Sequence, residues 1–234
     1  MCSIIGIVFK NPTKDHFKII RDIFKESGIR GRHATGLSCV VNDKIQTFKE
    51  AVPVERFVHL DNLEEMVNDD GVLSLIGHCR YSTSDLEFNQ PIYDENLAIV
   101  HNGVVTQELP ENWETLYGYK CETRNDSELL LHTINQANYP LEFWPQSSMA
   151  VCELHKNGSI RFYRNGKRPL WFNYIMFNNE VGGYVITSTS DISIRAGLNC
   201  PVTVPCGEYI TIDKNLCIDA TSSKIKSKDL QKYD

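Results

Sequence analysis

The chain has no long apolar run. None approaches the roughly 20 residues that a bilayer-spanning helix requires. The apolar opening Cys2–Val8 is too short and lacks the flanks of a secretory signal, so it reads as a strand. A basic excess is missing too: 24 Lys and Arg stand against 30 Asp and Glu, a net charge of −6. That balance argues against nucleic acid as a partner. The eight cysteines form no C-x-x-C pair and are scattered, so neither a zinc site nor another metal site is expected. With no secretory signal, disulfides are not expected either. Internal repeats and low-complexity stretches are absent. These absences point to the cytoplasm, with no membrane contact.

What is present is ordinary for a globular protein: 234 residues, 41% hydrophobic and 23% charged, enough to bury a substantial core. Asn11-Pro12-Thr13 opens a helix with Thr13 as N-cap; Phe17, Ile20 and Phe24 follow helical spacing and Gly28 ends it. Gly36–Val41 and Ile45–Phe48 read as a hairpin around Asn42-Asp43-Lys44. Val72–Cys79 and Leu97–Val100 are strand-like, and Asp126–Gln136 is a second helix. A second hairpin, Ser147–His155 with Ile160–Arg164, turns at Asn157-Gly158. Tyr184–Ser188 and Glu208–Asp213 are late strands. Many strands with a few interspersed helices predict a layered α+β fold. Residues 1–221 are expected to form one domain. Residues 222–234 carry four lysines and little apolar content, which predicts a solvated tail.

Cys39, Cys79 and Cys152 lie in apolar strands and read as small core residues. Cys2 is different. Removal of Met1, expected because the cysteine side chain is small, would put a thiol and a free α-amine on one residue. The amine, with a pKa of roughly 7.7–8, can take the thiol proton, so the residue holds both nucleophile and base. Four polar islands follow: Arg30–Gly36; His78-Cys79-Arg80-Tyr81-Ser82-Thr83 at a strand end; His101-Asn102-Gly103, read as a tight turn after Leu97–Val100; and Asn125-Asp126-Ser127-Glu128 capping the second helix. Each alone has a plain structural reading as a turn, a cap or a solvated rim residue.

Together and in this order, the islands resemble a class II glutamine amidotransferase domain, the N-terminal-nucleophile glutaminase. The resemblance is strongest to the glutaminase half of glutamine phosphoribosylpyrophosphate amidotransferase. It also draws on Asn89-Gln90-Pro91, Arg164-Asn165-Gly166-Lys167-Arg168-Pro169-Leu170, Thr187–Ser190 and Pro205-Cys206-Gly207-Glu208, and runs to about Asp213. It implies a four-layer αββα Ntn-hydrolase sandwich that splits the side-chain amide of L-glutamine into glutamate and ammonia, with no cofactor. It implies Cys2 as nucleophile and, through its amine, as acid and base. Asn102 and Gly103 are implied as oxyanion donors. Arg80 is implied for the substrate α-carboxylate and Asp126 for its α-ammonium, with Tyr81 and Thr83 in a closing loop at the substrate. Arg30, His78 and His101 are given supporting roles. The family's usual Asp or Asn is replaced by His33, which predicts altered hydrogen bonds in that loop. The remaining histidines, His16, His59, His132 and His155, show no partner pattern. No ammonia-consuming signature is visible: no acidic pyrophosphate-binding strand, no sugar-isomerase domain and no Ser-Gly-Gly-x-x-Ser loop. A free-standing glutaminase feeding a separate synthase is therefore expected. The alternatives are a hydrolase of another γ-glutamyl compound or amide, a non-catalytic regulatory relative, and an interaction protein working through the Lys-rich tail.

Overall fold

The computed structural model describes residues 2–82, 86–177 and 179–224. The strands are β1 (Ser3–Lys10), β2 (Ala34–Val41), β3 (Lys44–Glu50), β4 (Val72–Arg80), β5 (Ile92–Tyr93), β6 (Leu97–Val104) and β7 (Ser148–His155). They continue with β8 (Ile160–Arg164), β9 (Trp171–Phe177), β10 (Glu180–Thr187), β11 (Val202–Thr203), β12 (Glu208–Ile212) and β13 (Ile218–Ser222). The helices are α1 (Lys14–Gly28), α2 (Trp113–Tyr117), α3 (Ser127–Asn135), α4 (Pro140–Phe143) and α5 (Ser190–Arg195). One sheet runs β11-β9-β10-β1-β4-β2-β3 and the other β13-β12-β8-β7-β6-β5.

Residue parity along the strands builds the layers. In β1, Ile5, Ile7 and Phe9 pack with Phe17, Ile20, Ile23 and Phe24 of α1. Their neighbours Ile4 and Val8 face the other way and pack with Ala98, Val100, Ala150 and Phe162 of the second sheet. On the far side of that sheet, Ile99, Met149 and Val151 pack with Leu129 and Leu130 of α3 and with Trp113 and Trp144. The result is helices, sheet, sheet, helices: the four-layer αββα sandwich. Each buried Leu, Ile or Phe contributes roughly 1.5–3 kcal/mol. Midway along β1, Gly6 lets the sheets close up, because a Cβ there would lie 2.6 Å from Cys152 Sγ.

Local chemistry explains the elements. Thr13 is the N-cap of α1, and its N–H donates to His16 Nδ1 at 2.9 Å. Burial lowers the His16 pKa, which keeps that nitrogen available as an acceptor. The β2–β3 hairpin turns on Asn42 and Asp43, with φ of 50° and 58°; Lys44 already belongs to β3. Gly158 turns the β7–β8 hairpin at φ 82°. Cys39, Cys79 and Cys152 are fully buried, and the eight cysteines form no disulfide among the described residues. Four strands, β5, β9, β11 and β13, had no counterpart in the sequence pattern. Ser222 closes β13 opposite Glu208, and residues 225–234 lie outside the described residues. No helix is long and apolar enough to cross a membrane among the described residues.

One expectation is corrected. His101-Asn102-Gly103 is not a turn after the strand; β6 runs through it to Val104. Val151, Ala150 and Met149 of β7 pair with the three residues and extend the ladder. On the other edge the Gln90 side chain stands in for a strand: Oε1 accepts the His101 N–H at 2.6 Å and Nε2 donates to the His101 carbonyl at 3.1 Å.

Candidate active site

The same parity brings the polar residues to one end of the inter-sheet gap. Cys2 continues the series of Ile4 and Val8. His78 and Arg80 continue Val72 and Ile76 in β4, and Asn102 continues Ala98 and Val100 in β6. The β1–β4 register, Ser3 opposite Cys79 and Ile4 opposite His78, sets Cys2 beside Arg80. A cavity of about 190 Å³ results. Cys2, His78, Arg80, Tyr81, Gln90, His101, Asn102, Gly103 and Asp126 line it, with Ser82, Asn125 and Ser127. A larger cleft of about 760 Å³ lies alongside, walled by Val104, Val105 and Ser148; its lining has no cysteine or histidine.

Cys2 is half-buried, and its Sγ approaches the Tyr81 carbonyl at 3.7 Å. The Asn102 side-chain amide donates to the Cys2 carbonyl at 3.4 Å, so this donor sits at the sulfur-bearing residue. Gly103 has φ +154°, where L side chains are strained, and a Cβ there would lie 1.8 Å from the Ser148 carbonyl. Only glycine fits. Its peptide turns out of the regular strand geometry in the cavity wall beside Cys2.

Arg80 Nη1 donates to the Phe88 carbonyl at 2.8 Å and to Asn89 Oδ1 at 2.9 Å. Asn125 and Lys49 brace the same segment through the Phe88 and Asn89 carbonyls. These acceptors are neutral, and no carboxylate pairs with Arg80 among the described residues. Its positive charge is thus oriented by neutral acceptors. Asp126, the N-cap residue of α3, accepts the Val105 N–H through Oδ2 at 2.6 Å. A fixed cation and a fixed anion face one small cavity from different layers, an arrangement that suits a zwitterion.

The two wall histidines are neutral. Burial pushes His78 down to about 3, helped by the positive charge of Arg80 and by His101. Burial also lowers His101, against the opposing pull of Asp126. The partners of His101 assign its tautomer. Nε2–H donates to the Ser148 carbonyl at 3.2 Å, and Nδ1 accepts from Ser127 Oγ at 3.1 Å. Ser127 Oγ in turn accepts from Gln90 Nε2 at 3.0 Å. Both histidines therefore serve as rigid wall. Gln90 and Ser127, which sequence reasoning quoted only within motifs, are the central links of this network.

The other predicted residues fall as follows. Tyr81 is exposed, with its carbonyl at Cys2 and its ring tilted 30° against His33 at 4.8 Å. Thr83 lies outside the described residues. Arg30 does not line the cavity. It follows α1 and, after the Thr189 hydroxyl and Arg195, is a further influence holding the Asp191 carboxyl below the usual range. His33 accepts the Ser82 N–H through Nδ1 at 2.9 Å and so holds the start of the loop.

Sheets and helices define a four-layer αββα sandwich with a cysteine just ahead of β1. No family model matches the chain. Individual proteins do. Glutamine–fructose-6-phosphate aminotransferase (isomerizing) of Bartonella henselae is 30% identical over 141 residues, covering 58% of this chain and 22% of that protein. The enzyme of the same name from Helicobacter pylori is 27% identical over 191 residues, 73% of this chain and 30% of that protein. The chain thus spans less than a third of the length of these relatives. Among solved structures, glutamine phosphoribosylpyrophosphate amidotransferase from B. subtilis, complexed with ADP and GMP, superposes with a TM-score of 0.74 at 19% identity. That match covers 96% of this chain and 50% of the other. A glutamine aminotransferase class-II domain protein from Silicibacter pomeroyi gives 0.54 at 10% identity, covering 95% and 99%. The chain thus resembles glutamine amidotransferases in sequence over part of its length and shares the fold of class II glutamine amidotransferase domains over nearly all of it.

Proposed function

We propose that this domain hydrolyses the side-chain amide of L-glutamine to glutamate and ammonia through a thioester on Cys2. One observation carries the reading: Cys2, Asn102, Gly103, Arg80 and Asp126 come from four separate elements to one cavity of about 190 Å³. Once Met1 is removed, the α-amine takes the thiol proton and the sulfur attacks the amide carbon. The Asn102 amide and the Gly103 N–H receive the oxyanion, and removing one such donor costs about 10²–10³ in rate. The amine then protonates the departing nitrogen, ammonia leaves, and water attacks the thioester to free glutamate. Arg80 holds the α-carboxylate and Asp126 the α-ammonium, with the loop carrying Tyr81 and Thr83 at the substrate. An amide lacking a free amino-acid head would leave both charges unmatched, which favours glutamine, or another γ-linked amide with the same head, over a simple amide.

The ammonia passes to an ammonia-consuming synthase, because ammonia discharged into water at neutral pH becomes ammonium and loses its nucleophilicity. The cytoplasm is the compartment assigned, in keeping with eight cysteines that form no disulfide among the described residues.

The test is intact-protein mass spectrometry with 6-diazo-5-oxo-L-norleucine, followed by peptide mapping. Loss of Met1 and a single adduct on Cys2, blocked by excess glutamine, is the expected result. An adduct at another residue, or full glutaminase activity in Cys2→Ala, overturns the reading.

A further inference from the structure

Beneath the first turn of α3 lies a second cluster of reactive side chains, separate from the cavity. Glu128 and His132 are four residues apart on one helix face, and Cys121 comes from the segment before the helix. One sulfur, one carboxylate oxygen and one ring nitrogen lie within 4.8 Å of one another. The packing fixes all three. Glu128 is 5% exposed. Its Oε1 accepts the Glu122 N–H at 2.7 Å, and its Oε2 accepts the Thr123 N–H at 2.7 Å and the Thr123 hydroxyl at 2.6 Å. These bonds pin the chain just after Cys121 to the carboxylate. The Tyr119 ring stacks on His132 at 5.5 Å and 15°, which sets the imidazole plane. His132 Nε2 is buried and has no hydrogen-bond partner among the described residues; Glu128 Oε1 is 3.6 Å away. A buried nitrogen with no partner is costly unless something binds it.

We propose that Cys121, Glu128 and His132 form a binding site for one borderline-soft divalent cation of the zinc type. The donor set selects the ion. Thiolate, imidazole and carboxylate together suit zinc or cobalt in a tetrahedral shell whose fourth position is open to water. Magnesium and calcium need six or more oxygens, which this cluster does not offer. On binding, the Cys121 S–H bond breaks, its proton goes to solvent and a sulfur–metal bond forms; the thiol is protonated beforehand because burial, with the Glu128 charge, pushes it up to about 12. His132 binds through the Nε2 lone pair and keeps its proton on Nδ1. The ion ties the 121–123 segment to the first turn of α3, one residue from Ser127 and two from Asp126, both in the cavity wall. It is a structural staple under the substrate-facing end of that helix.

Cobalt(II) is the probe for the chelator-treated protein. One equivalent should bring up the thiolate-to-cobalt charge-transfer band. Cys121→Ser should abolish it, while Cys2→Ala and Cys217→Ser should keep it. In His132→Asn the affinity should fall at least about 10–100-fold, the loss typical even for an outer-shell partner. Circular dichroism checks that each variant is folded. A second measurement needs no variant: zinc chloride should slow iodoacetamide labelling of Cys121 at least tenfold and leave the exposed Cys200 and Cys217 unchanged. No charge-transfer band, a band that survives Cys121→Ser, or no zinc protection of Cys121 overturns the site.

Discussion

His33 Nδ1 accepts the backbone N–H of Ser82 at 2.9 Å, across 49 residues of chain. The segment before β2 thereby holds the chain just after it leaves β4 and its Arg80. The Tyr81 ring packs against the same imidazole. His33→Ala removes an acceptor worth about 0.5–1.5 kcal/mol. In the proposed glutaminase, KM for glutamine should rise about 2–10-fold by the same measure, with kcat less affected. His33→Asn, which restores an acceptor, should recover much of the loss. Steady-state kinetics on the three proteins checks this.

Arg80→Lys tests the substrate clamp. A lysine carries the charge but cannot reproduce two fixed N–H donors to Phe88 and Asn89 while facing a carboxylate. KM should climb by about tenfold or more, given charge-assisted bonds of about 1.5–3 kcal/mol, and kcat should change far less. An unchanged KM would remove Arg80 from the pocket.

Gly103→Ala meets both a backbone at φ +154° and the Ser148 carbonyl. The strain is of order 1–3 kcal/mol before the clash is counted. The variant should melt at lower temperature and lose nearly all glutaminase activity. Thermal unfolding and glutamine turnover read the two effects separately.

Acid should destabilise the fold through its wall histidines. His78 is held down to about 3, whereas in the unfolded chain it protonates near pH 6.5. The unfolded state therefore binds the extra proton. The contribution of His78 is fully present above about pH 6.5 and declines as pH falls toward 3, by about 1.4 kcal/mol per pH unit. His101, also lowered, acts in the same direction. Urea unfolding of wild type and His78→Gln at several pH values should give a flatter profile in the variant. Equal slopes would count against the assignment.

Much of this was legible in advance because it rests on short-range rules. Helical spacing and a Thr cap placed α1, and the Asn42-Asp43 and Asn157-Gly158 pairs placed two hairpins. What escaped depends on partners far along the chain. Asn102-Gly103 carries a local turn signal, yet Ala150, Met149 and the Gln90 amide supply strand partners that override it. Gln90 itself is unreadable alone, since its role lies in the backbone of His101 and the hydroxyl of Ser127. The β9 segment, Trp171–Phe177, is an unbroken mixture without alternation because part of it is exposed on both faces. His16 showed no partner pattern, but burial makes it the acceptor that closes the first turn of α1. His132 likewise showed no partner pattern, because the fold, not the local sequence, brings Cys121 onto Glu128 and His132.

The two halves of the cavity belong to opposite leaves of the sandwich: Cys2 and Arg80 to one sheet, Asn102 and Gly103 to the other. The distance from the Cys2 sulfur to Asn102 and Gly103 is therefore set by the thickness of apolar filling between the leaves. Gly6, where the leaves touch at Cys152, is the shim of that caliper. A single added methyl there would open the jaws of the cavity four residues from Cys2 without altering one group that lines it.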